Sequence, residues 1–575
     1  MELVMHLLSS LPRSPRAAVA IIALGAPRLL CGQNAATREL PLHHAPEPTV
    51  AAITPADLMT RLYIFSDDSM QGRRVGTEGH RRGTAYIERE VRRLGLVPAG
   101  DSGGYFQNLP VYERTLATGQ TLTVGGSVFK PWVDFLPRDN GPTARDFNGA
   151  SVVFGGVWGD TATMITPAQA AGKFIVITVP DAPDGTPRWQ ANRPALTQYY
   201  GDAMAIAIAS LDAMDPQSRQ ILTEPSVGLR SPEDQMPPVP AFLYVSRAMT
   251  TALLGAPARG LTRGKATGRT VNGSLRFTDA PAPARNVIAI LPGSDPALKG
   301  QYVAIGAHND HIGFTHDAVD HDSLRAFNAV VRPGGEDDPT RVASPEEVTR
   351  VRAILDSLRR MHPPRLDSIY NGADDDGSGT VALLEIAESF VNASTKPKRS
   401  MLFIWHAGEE EGLWGSEYFT DHPTVPRDSI VTELNMDMIG RGRADDVKRG
   451  GPGYLQLIGS RRLSTELGDL VETVAKSEPT PFRFDYQFDA NGHPQQYYCR
   501  SDHYEYARYG IPIVFFSTGG HRDYHQVTDE AEYIDYDQLA RVATLVHDVA
   551  VRAANLDHRL VVDKKKPDPH GQCVQ

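Results

Sequence analysis

The sequence predicts an α/β fold, a mostly parallel mixed sheet flanked by helices, with a β-rich segment inserted ahead of it. From Asn286 onward, near-continuous apolar runs alternate with segments of helical periodicity, which is typical of buried strands in α/β sheets. Between about Tyr105 and the Pro-rich stretch at 281–285, short β-type runs are instead separated by Gly and Pro. We therefore expect two different sheets along the chain.

Length and composition indicate a folded protein of several domains. The chain has 575 residues, 41% hydrophobic and 22% charged, which is too apolar for global disorder. Its 58 basic and 69 acidic residues give a formal net charge of -11, which argues against a nucleic-acid partner. No apolar run reaches the roughly 18 residues of a membrane helix, so we expect no membrane span.

The first 50 residues are interpreted as a leader and linker outside the fold. An apolar run over 17–27 follows two arginines, as in a signal peptide, so we expect export to the periplasm or the medium. A disordered leader is the alternative. Lipid attachment at Cys31 is not expected, because Leu30 is too large for a good lipoprotein cleavage box.

Changes in sequence pattern predict the order of the domains. Apolar residues at helical spacing over 54–96 predict two helices joined by a Gly-rich turn. A charged excursion within the main domain holds one amphipathic helix, over about 345–361, which we expect to pack on the sheet domain. The predicted order is a leader over 1–50, the N-terminal helical part of the main domain over 51–117, the β-rich insert over 118–284, the main domain over 285–555 with its excursion over 314–366, and a tail over 556–575.

Five short segments concentrate His, Asp and Glu, and four of them begin where a predicted apolar strand ends. Sites in open α/β sheets form outside the carboxyl ends of the strands, so these segments should converge. The segments are 308–311, 374–376, 409–411, Asp437 and 524–525. Each alone could be a helix cap, a solvated face or a core histidine. Together they would repel one another unless cations lay among them.

A mixed His and carboxylate set without Cys fits zinc, with cobalt or manganese as alternatives. A shared carboxylate would let two ions sit about 3.5 to 4 Å apart, the arrangement used for hydrolysis. A mixed set of this kind is therefore compatible with a centre of two Zn²⁺ ions per chain.

The five segments, in this order, resemble the co-catalytic di-zinc aminopeptidase family, which is related to glutamate carboxypeptidase and the transferrin receptor. The motifs that carry the resemblance are GAHNDHIG, NGADDDGSGT, GEEEGLWGS, NMDMIG and DYHQVTDE. The resemblance covers roughly 54–115 and 285–552 and implies a fold of the zinc exopeptidase type. The insert resembles, more weakly, the protease-associated domain that exported members carry.

The resemblance implies a set of metal ligands. Asp375 would bridge both zinc ions, Glu410 and His525 would complete one site, and His308 and Asp437 would complete the other.

The resemblance also implies catalytic roles around these ligands. Glu409 would be the general base that takes a proton from a metal-bridged water. Asp310 would hold His308 in the right tautomer, and Tyr524 would stabilise the oxyanion or simply pack in the wall. His311 and His521 are interpreted as wall or hydrogen-bonding residues. The run 501–503 is interpreted as structural rather than as a nucleophilic triad, because adjacent residues cannot easily line up.

The function implied is that of an exported zinc-dependent metallo-aminopeptidase acting on peptides with a free N-terminus. The alternatives are a carboxypeptidase or dipeptidase of the glutamate carboxypeptidase type, a glutaminyl-cyclase-like acyltransferase and a receptor-like binding protein. A carboxypeptidase needs a cation to bind the terminal carboxylate of its substrate. This alternative stays open because three arginines lie just outside the motif cores: Arg441, Arg500 and Arg522. The oligomeric state, the preferred residue and the pairing of Cys499 with Cys573 stay open.

Overall fold

A computed structural model describes residues 40–138, 143–160, 162, 164–181, 185, 188–230, 239–257, 261–361 and 363–575. The expected leader, with Cys31, lies outside these residues up to position 39. Within the described ranges, no helix has both the length and the apolar character needed to cross a membrane.

The first sheet contains nine strands of the described chain, and its centre is parallel. In spatial order, eight of its strands are Val97–Pro98, Arg285–Leu291, Ser400–His406, Tyr302–His308, Ile430–Met436, Ile513–Ser517, Tyr454–Ile458 and Arg483–Asp485, and Phe106–Asn108 pairs with Arg285–Leu291. The third to sixth of these run parallel to one another, while both flanks contain antiparallel pairs. The predicted mixed, mostly parallel sheet is confirmed.

Helices cover both faces of this sheet because neighbouring strand residues point to opposite sides. Phe403 contacts Phe390 of the helix Gly379–Asn392 on one side. Leu402 and Ile404 belong instead to a buried cluster that contains Phe419 and Tyr506. The helices of the described chain are Pro55–Phe65, Glu78–Arg93, Pro167–Ala170, Arg193–Tyr199, Pro216–Ile221, Arg247–Leu254, His321–Val331, Pro345–Met361, Gly379–Asn392, Trp414–Asp421, Thr465–Ser477, His503–Ala507 and Tyr536–Asn555.

A second sheet of ten described strands is built from residues 111–281. In spatial order eight of them are Ser226–Leu229, Val111–Leu116, Ala266–Pro281, Ala144–Val157, Phe174–Thr178, Ala205–Ala209, Ala241–Val245 and Phe135–Arg138; Leu122–Val124 pairs with Ala266–Pro281 and with Ser127–Phe129. Side chains that alternate along its strands pack into two separate clusters of buried hydrophobic residues. This part of the chain is therefore β-rich, as its short apolar runs predict.

The excursion between the first histidine segment and the aspartate loop is a small structured unit. Its two strands, Phe314–Asp320 and Leu366–Ile369, pair antiparallel. The predicted helix is present as Pro345–Met361, and a second helix, His321–Val331, precedes it. The second helix begins at an N-cap in which the side chain of Asp320 accepts a hydrogen bond from the N–H of Ser323.

Candidate metal centre

The polar segments meet at one edge of the first sheet. The four central strands are parallel, so their carboxyl ends lie at the same edge, where ligands bind in open α/β sheets. The loop that precedes the helix Gly379–Asn392 reaches the same place. The side chains at this edge are His308, Asp310, Asp375, Glu409, Glu410, Asp437, Tyr524 and His525.

One group of potential metal ligands surrounds His308. Its Nε2 atom lies 3.1 Å from Asp375 Oδ1 and 3.7 Å from Asp437 Oδ1. The ligand atoms of His308, Asp376 and Asp437 all lie within 4.8 Å of one another, and all three residues are buried. Both sequence-predicted residues of this site thus lie together, and Asp376 joins them.

A second group surrounds His525. Its Nε2 atom lies 3.0 Å from Asp375 Oδ2 and 3.0 Å from Glu410 Oε2. His311 also belongs to this group, and its Nδ1 atom lies 2.7 Å from Glu410 Oε1. The sequence-predicted residues of this site are therefore adjacent, with His311 hydrogen-bonded beside them.

Asp375 lies between the two groups. One of its carboxylate oxygens is turned towards His308 and the other towards His525. Burial alone would raise the pKa of Asp375, but the contacts with these two imidazoles hold it well below its usual range. An ionised carboxylate with both oxygens directed at different ligand groups is the residue type that can bridge two cations.

The aspartate loop is fixed by a carboxylate from a distant segment. Asp529 Oδ2 accepts hydrogen bonds from the backbone N–H groups of Asp374 and Asp375, at 2.9 and 3.1 Å. Arg441 is fully buried and lies 3.4 Å from the other oxygen of Asp529. Gly372 starts the loop at φ 52°, where an added Cβ would lie 2.3 Å from the carbonyl oxygen of Asp375. The backbone at Asp375 is thus held from two sides.

Asp376 connects three segments of the site through the backbone. Its carboxylate accepts hydrogen bonds from the N–H groups of Gly379, His308 and Met438, at 2.9, 3.1 and 3.3 Å. These contacts join the aspartate loop to the ends of two strands. Asp376 therefore fixes the backbone of three segments at the site. Its carboxylate also lies close to His308 and Asp437.

The residues present fit metal ions. His308 Nε2 and His525 Nε2 are shielded from solvent and form no hydrogen bond within the described residues. A buried polar atom left without a partner costs free energy, so these nitrogens are suited to bind something other than protein. The His308 group offers two carboxylates and one imidazole, and the His525 group offers two carboxylates and two imidazoles. These donors, without thiolate, are ones that zinc accepts.

Glu409 lies beside Glu410, a member of the second group, and is positioned through its backbone. Asp310 Oδ1 accepts hydrogen bonds from the N–H groups of Gly408 and Glu409, at 2.8 and 3.2 Å. The same oxygen lies 3.7 Å from His308 Nδ1, beyond hydrogen-bond distance. Removal from water raises the pKa of Glu409 well above its usual range, so its carboxyl group has affinity for a proton.

The sequence over residues 286–550 matches the family model of Peptidase family M28. These residues form a peptidase family M28 domain. The matched range contains both ligand groups, Glu409 and the whole excursion.

Curated relatives of the M28 domain include fungal enzymes. A probable leucine aminopeptidase of Arthroderma otae is 29% identical over 222 residues, which is 37% of this chain and 55% of the relative. Leucine aminopeptidase 1 of Penicillium rubens is 25% identical over 230 residues, 38% of this chain and 54% of the relative. The chain thus spans about half the length of these relatives.

Two solved structures are also similar to this chain. An aminopeptidase from Aneurinibacillus sp. strain AM-1 is 16% identical, with 90% of this chain and 97% of that chain covered at a TM-score of 0.48. BSAP, a zinc aminopeptidase from Bacillus subtilis, is 16% identical, with 88% and 96% covered at a TM-score of 0.48.

A cavity opens directly beside the two ligand groups of the M28 domain. Its volume is about 50 Å³, and its walls include Tyr497, Arg500, Phe515 and Tyr524. Burial raises the pKa of Tyr524 well above its usual range, so its phenol keeps the proton and can donate a hydrogen bond. Arg500 donates to the Tyr524 oxygen at 3.2 Å.

The Ser-Asp-His run of the M28 domain does not form a triad. Ser501 donates a hydrogen bond to Asp437 Oδ2 at 2.8 Å. His503 is stacked on Phe515, and neither of its ring nitrogens has a hydrogen-bond partner within the described part of the chain. Ser501 therefore has a specific structural contact, since it holds the carboxylate of Asp437, a member of the first group.

Sequence reasoning missed several residues that shape the centre. The sequence pattern places Asp376 in an acidic loop and Asp529 in the last motif, and it assigns neither residue a role at the centre. Glu336, which lies 2.7 Å from His525 Nδ1, stands in the excursion, outside every motif. Only a three-dimensional contact identifies Glu336, because its local sequence, GGEDD, has no ligand spacing.

Proposed function

We propose that the protein is a zinc-dependent metallo-aminopeptidase that removes N-terminal residues from peptides. The observation that carries the proposal is the placement of Asp375, with its two oxygens 3.1 Å from His308 Nε2 and 3.0 Å from His525 Nε2. The names of the curated relatives support the same reaction.

Two sets of ligands would each hold one zinc ion. Asp375 would be shared, with His308 and Asp437 on one side and Glu410 and His525 on the other. Bound zinc supplies Lewis acidity, which lowers the pKa of a water molecule towards 7 and polarises a peptide carbonyl.

Three side chains would do the work around the scissile bond. Glu409, which lines the cavity beside Asp375 and Asp437, would take the proton of the attacking water and deliver it to the leaving amine. Tyr524 would donate a hydrogen bond to the carbonyl oxygen as negative charge develops there. Asp310 would hold the backbone of Glu409 in place, as its hydrogen bond to that N–H indicates.

The charge of the site favours binding of an N-terminus over a C-terminus. Arg441 is buried among Asp446, Asp523 and Asp529, so it is unsuited to hold a substrate carboxylate. Arg522 donates to the carbonyl oxygen of Asp445. The acidic cluster would then attract the free α-ammonium group of a peptide.

A carboxypeptidase is the second candidate, because Arg500 does line the cavity. Its guanidinium lies 3.3 Å from Asp337, which offsets its charge. A substrate carboxylate would have to compete with Asp337 for this arginine. Within the described residues, no comparable contact favours the acyltransferase or the receptor-like alternative.

Export and the identity of the β-rich region belong to the proposal as well. We assign 118–284 to a protease-associated domain that limits access to the cleft, and we keep the domain bounds of the sequence analysis. A disulfide between Cys499 and Cys573 supports an oxidising compartment.

The direction of attack is tested with three substrates. An amino-acid anilide should be cleaved, its N-acetylated form should not, and amidation of a peptide's C-terminus should leave cleavage unchanged. Acetylation removes the ammonium charge and leaves a carboxylate unpaired in a confined site. Cleavage of the acetylated anilide, or dependence on a free C-terminus, would overturn the aminopeptidase assignment.

A further inference from the structure

A short loop of the excursion lies against the metal centre. The loop follows the helix His321–Val331, and its Glu336 N–H donates to the carbonyl oxygen of Tyr524 at 3.2 Å. Gly335 has φ 61°, and an added Cβ there would lie 2.6 Å from that same carbonyl oxygen. The approach is therefore close enough to require glycine.

The carboxylate of Glu336 reaches the far side of a ligand imidazole. Its Oε2 atom lies 2.7 Å from His525 Nδ1, while His525 Nε2 faces Asp375 and Glu410. A carboxylate beside one ring nitrogen accepts a hydrogen bond from the N–H at that nitrogen, which leaves the other nitrogen with a free lone pair.

We infer that Glu336 is a positioning residue for His525, supplied by the excursion, that fixes the tautomer and ring orientation needed to hold one of the two ions. This inference rests on the proposed function, because it requires that His525 binds metal. It makes the excursion part of the active site, whereas the five motifs alone would leave it as a peripheral insertion.

The excursion is anchored firmly enough to present Glu336 in one place. Arg325, on the helix before the loop, lies 2.5 Å from Asp523, which also contacts the buried Arg441 at 3.1 Å. Asn328 of the same helix donates to the carbonyl oxygen of Arg522 at 3.1 Å. These contacts tie the excursion to the segment that carries His525.

The loop itself is closed by its own hydrogen bonds. Asp338 Oδ2 accepts from the N–H of Gly334 at 2.7 Å, and Arg332 Nε donates to the carbonyl oxygen of Asp338 at 3.2 Å. Asp337 also lies 3.3 Å from Arg500 across the cavity. Glu336 is thus held between two fixed ends.

The exposure of Glu336 limits the size of the expected effect. Its side chain is 59% exposed, whereas that of His525 is 16% exposed. Outer partners of metal-ligating histidines typically contribute about 10- to 100-fold in metal affinity. Because water can replace part of the contact, we expect a value nearer to 10-fold.

The test is a zinc competition titration on the full-length protein with a fluorescent chelator. Glu336→Gln should weaken binding of one zinc ion by about 10-fold and leave the other unchanged. Glu346→Gln is the matched control, since Glu346 is an exposed glutamate of the same excursion. Unfolding of the zinc-free protein should be the same for both variants and the parent.

Two outcomes would overturn the inference. Unchanged affinity for both ions in Glu336→Gln would show that the contact does not position His525. Equal weakening of both ions, with a less stable zinc-free protein, would show a merely structural role. If the parent protein itself does not bind two ions, the result contradicts the proposed function. This outcome is distinct from the two above, which contradict only the role of Glu336.

Discussion

The carboxylate of Asp310 accepts a hydrogen bond from the backbone N–H of Glu409 at 3.2 Å. This bond joins the end of one central strand to the loop after the neighbouring strand, and it fixes the backbone of Glu409 beside Glu410, a potential metal ligand. The proposed base and the proposed ligand are therefore adjacent in sequence, but we expect them to respond differently to the same substitution.

Glu409→Gln should keep both zinc ions and lose most hydrolysis, because it removes a proton acceptor without removing a ligand. A general base typically contributes about 100- to 10,000-fold to the rate. Glu410→Gln should instead weaken metal binding. Metal content and steady-state rates of the two variants check this, and equal behaviour would contradict the assignment of base and ligand.

Tyr524→Phe should lower kcat with little change in metal content, because it removes a hydrogen-bond donor to the developing oxyanion. Loss of one such donor typically costs about 100- to 1,000-fold. Tyr497→Phe is the matched control, since Tyr497 lines the same cavity but its hydroxyl faces Asp337 at 3.4 Å. Similar kinetics for the two variants would reduce Tyr524 to a wall residue.

The free energy of unfolding should fall as the pH rises, because Glu433 is buried. Its side chain is fully buried, neither carboxylate oxygen has a hydrogen bond within the described residues, and burial raises its pKa well above the ordinary 4.5. The folded state then binds a proton that the unfolded state releases above that value. The unfolding free energy should therefore fall by about 1.4 kcal/mol per pH unit between 4.5 and the folded pKa.

Glu433→Gln should remove this pH dependence. Denaturant unfolding of the zinc-free protein should give similar stability for variant and parent at acidic pH, and a more stable variant at alkaline pH. Glu346→Gln serves as an exposed control. Parallel stability curves for Glu433→Gln and the parent would show that Glu433 is not protonated in the folded state.

The disulfide between Cys499 and Cys573 should stabilise the fold by closing a long loop. The two cysteines are 74 positions apart, and loop closure of this kind typically contributes about 2 to 4 kcal/mol. Cys573→Ser should lower the unfolding free energy by that amount under oxidising conditions. The double variant, with Cys499→Ser as well, should show no further loss of unfolding free energy. A single variant as stable as the parent would contradict the prediction.

The strands and the chemistry of the site could be predicted from the sequence because both depend on short stretches of consecutive residues. Apolar runs ending in His308 or just before Asp437 predict buried strands and the edge at which they stop. The helix over 345–361 was predicted from its periodicity. The helix His321–Val331 was missed, since its mixed sequence follows a strand without a break.

Long-range partners could not be predicted in the same way. Asp529 lies 154 residues from the backbone N–H of Asp375, and Glu336 lies 189 residues from His525. No spacing rule relates such pairs, because the fold alone brings them together. The pairing of Cys499 with Cys573 also stayed open until both were placed in one structure.

The central claim, that two zinc ions share Asp375, is tested most directly by titrating zinc into the metal-free protein. Bound zinc and hydrolysis of an amino-acid anilide should be measured in the same samples. We predict saturation at two ions per chain with activity reaching its plateau there, and a larger loss of metal in Asp375→Ala than in any other single ligand variant. Full activity with one bound ion, and no binding of a second, would contradict the account.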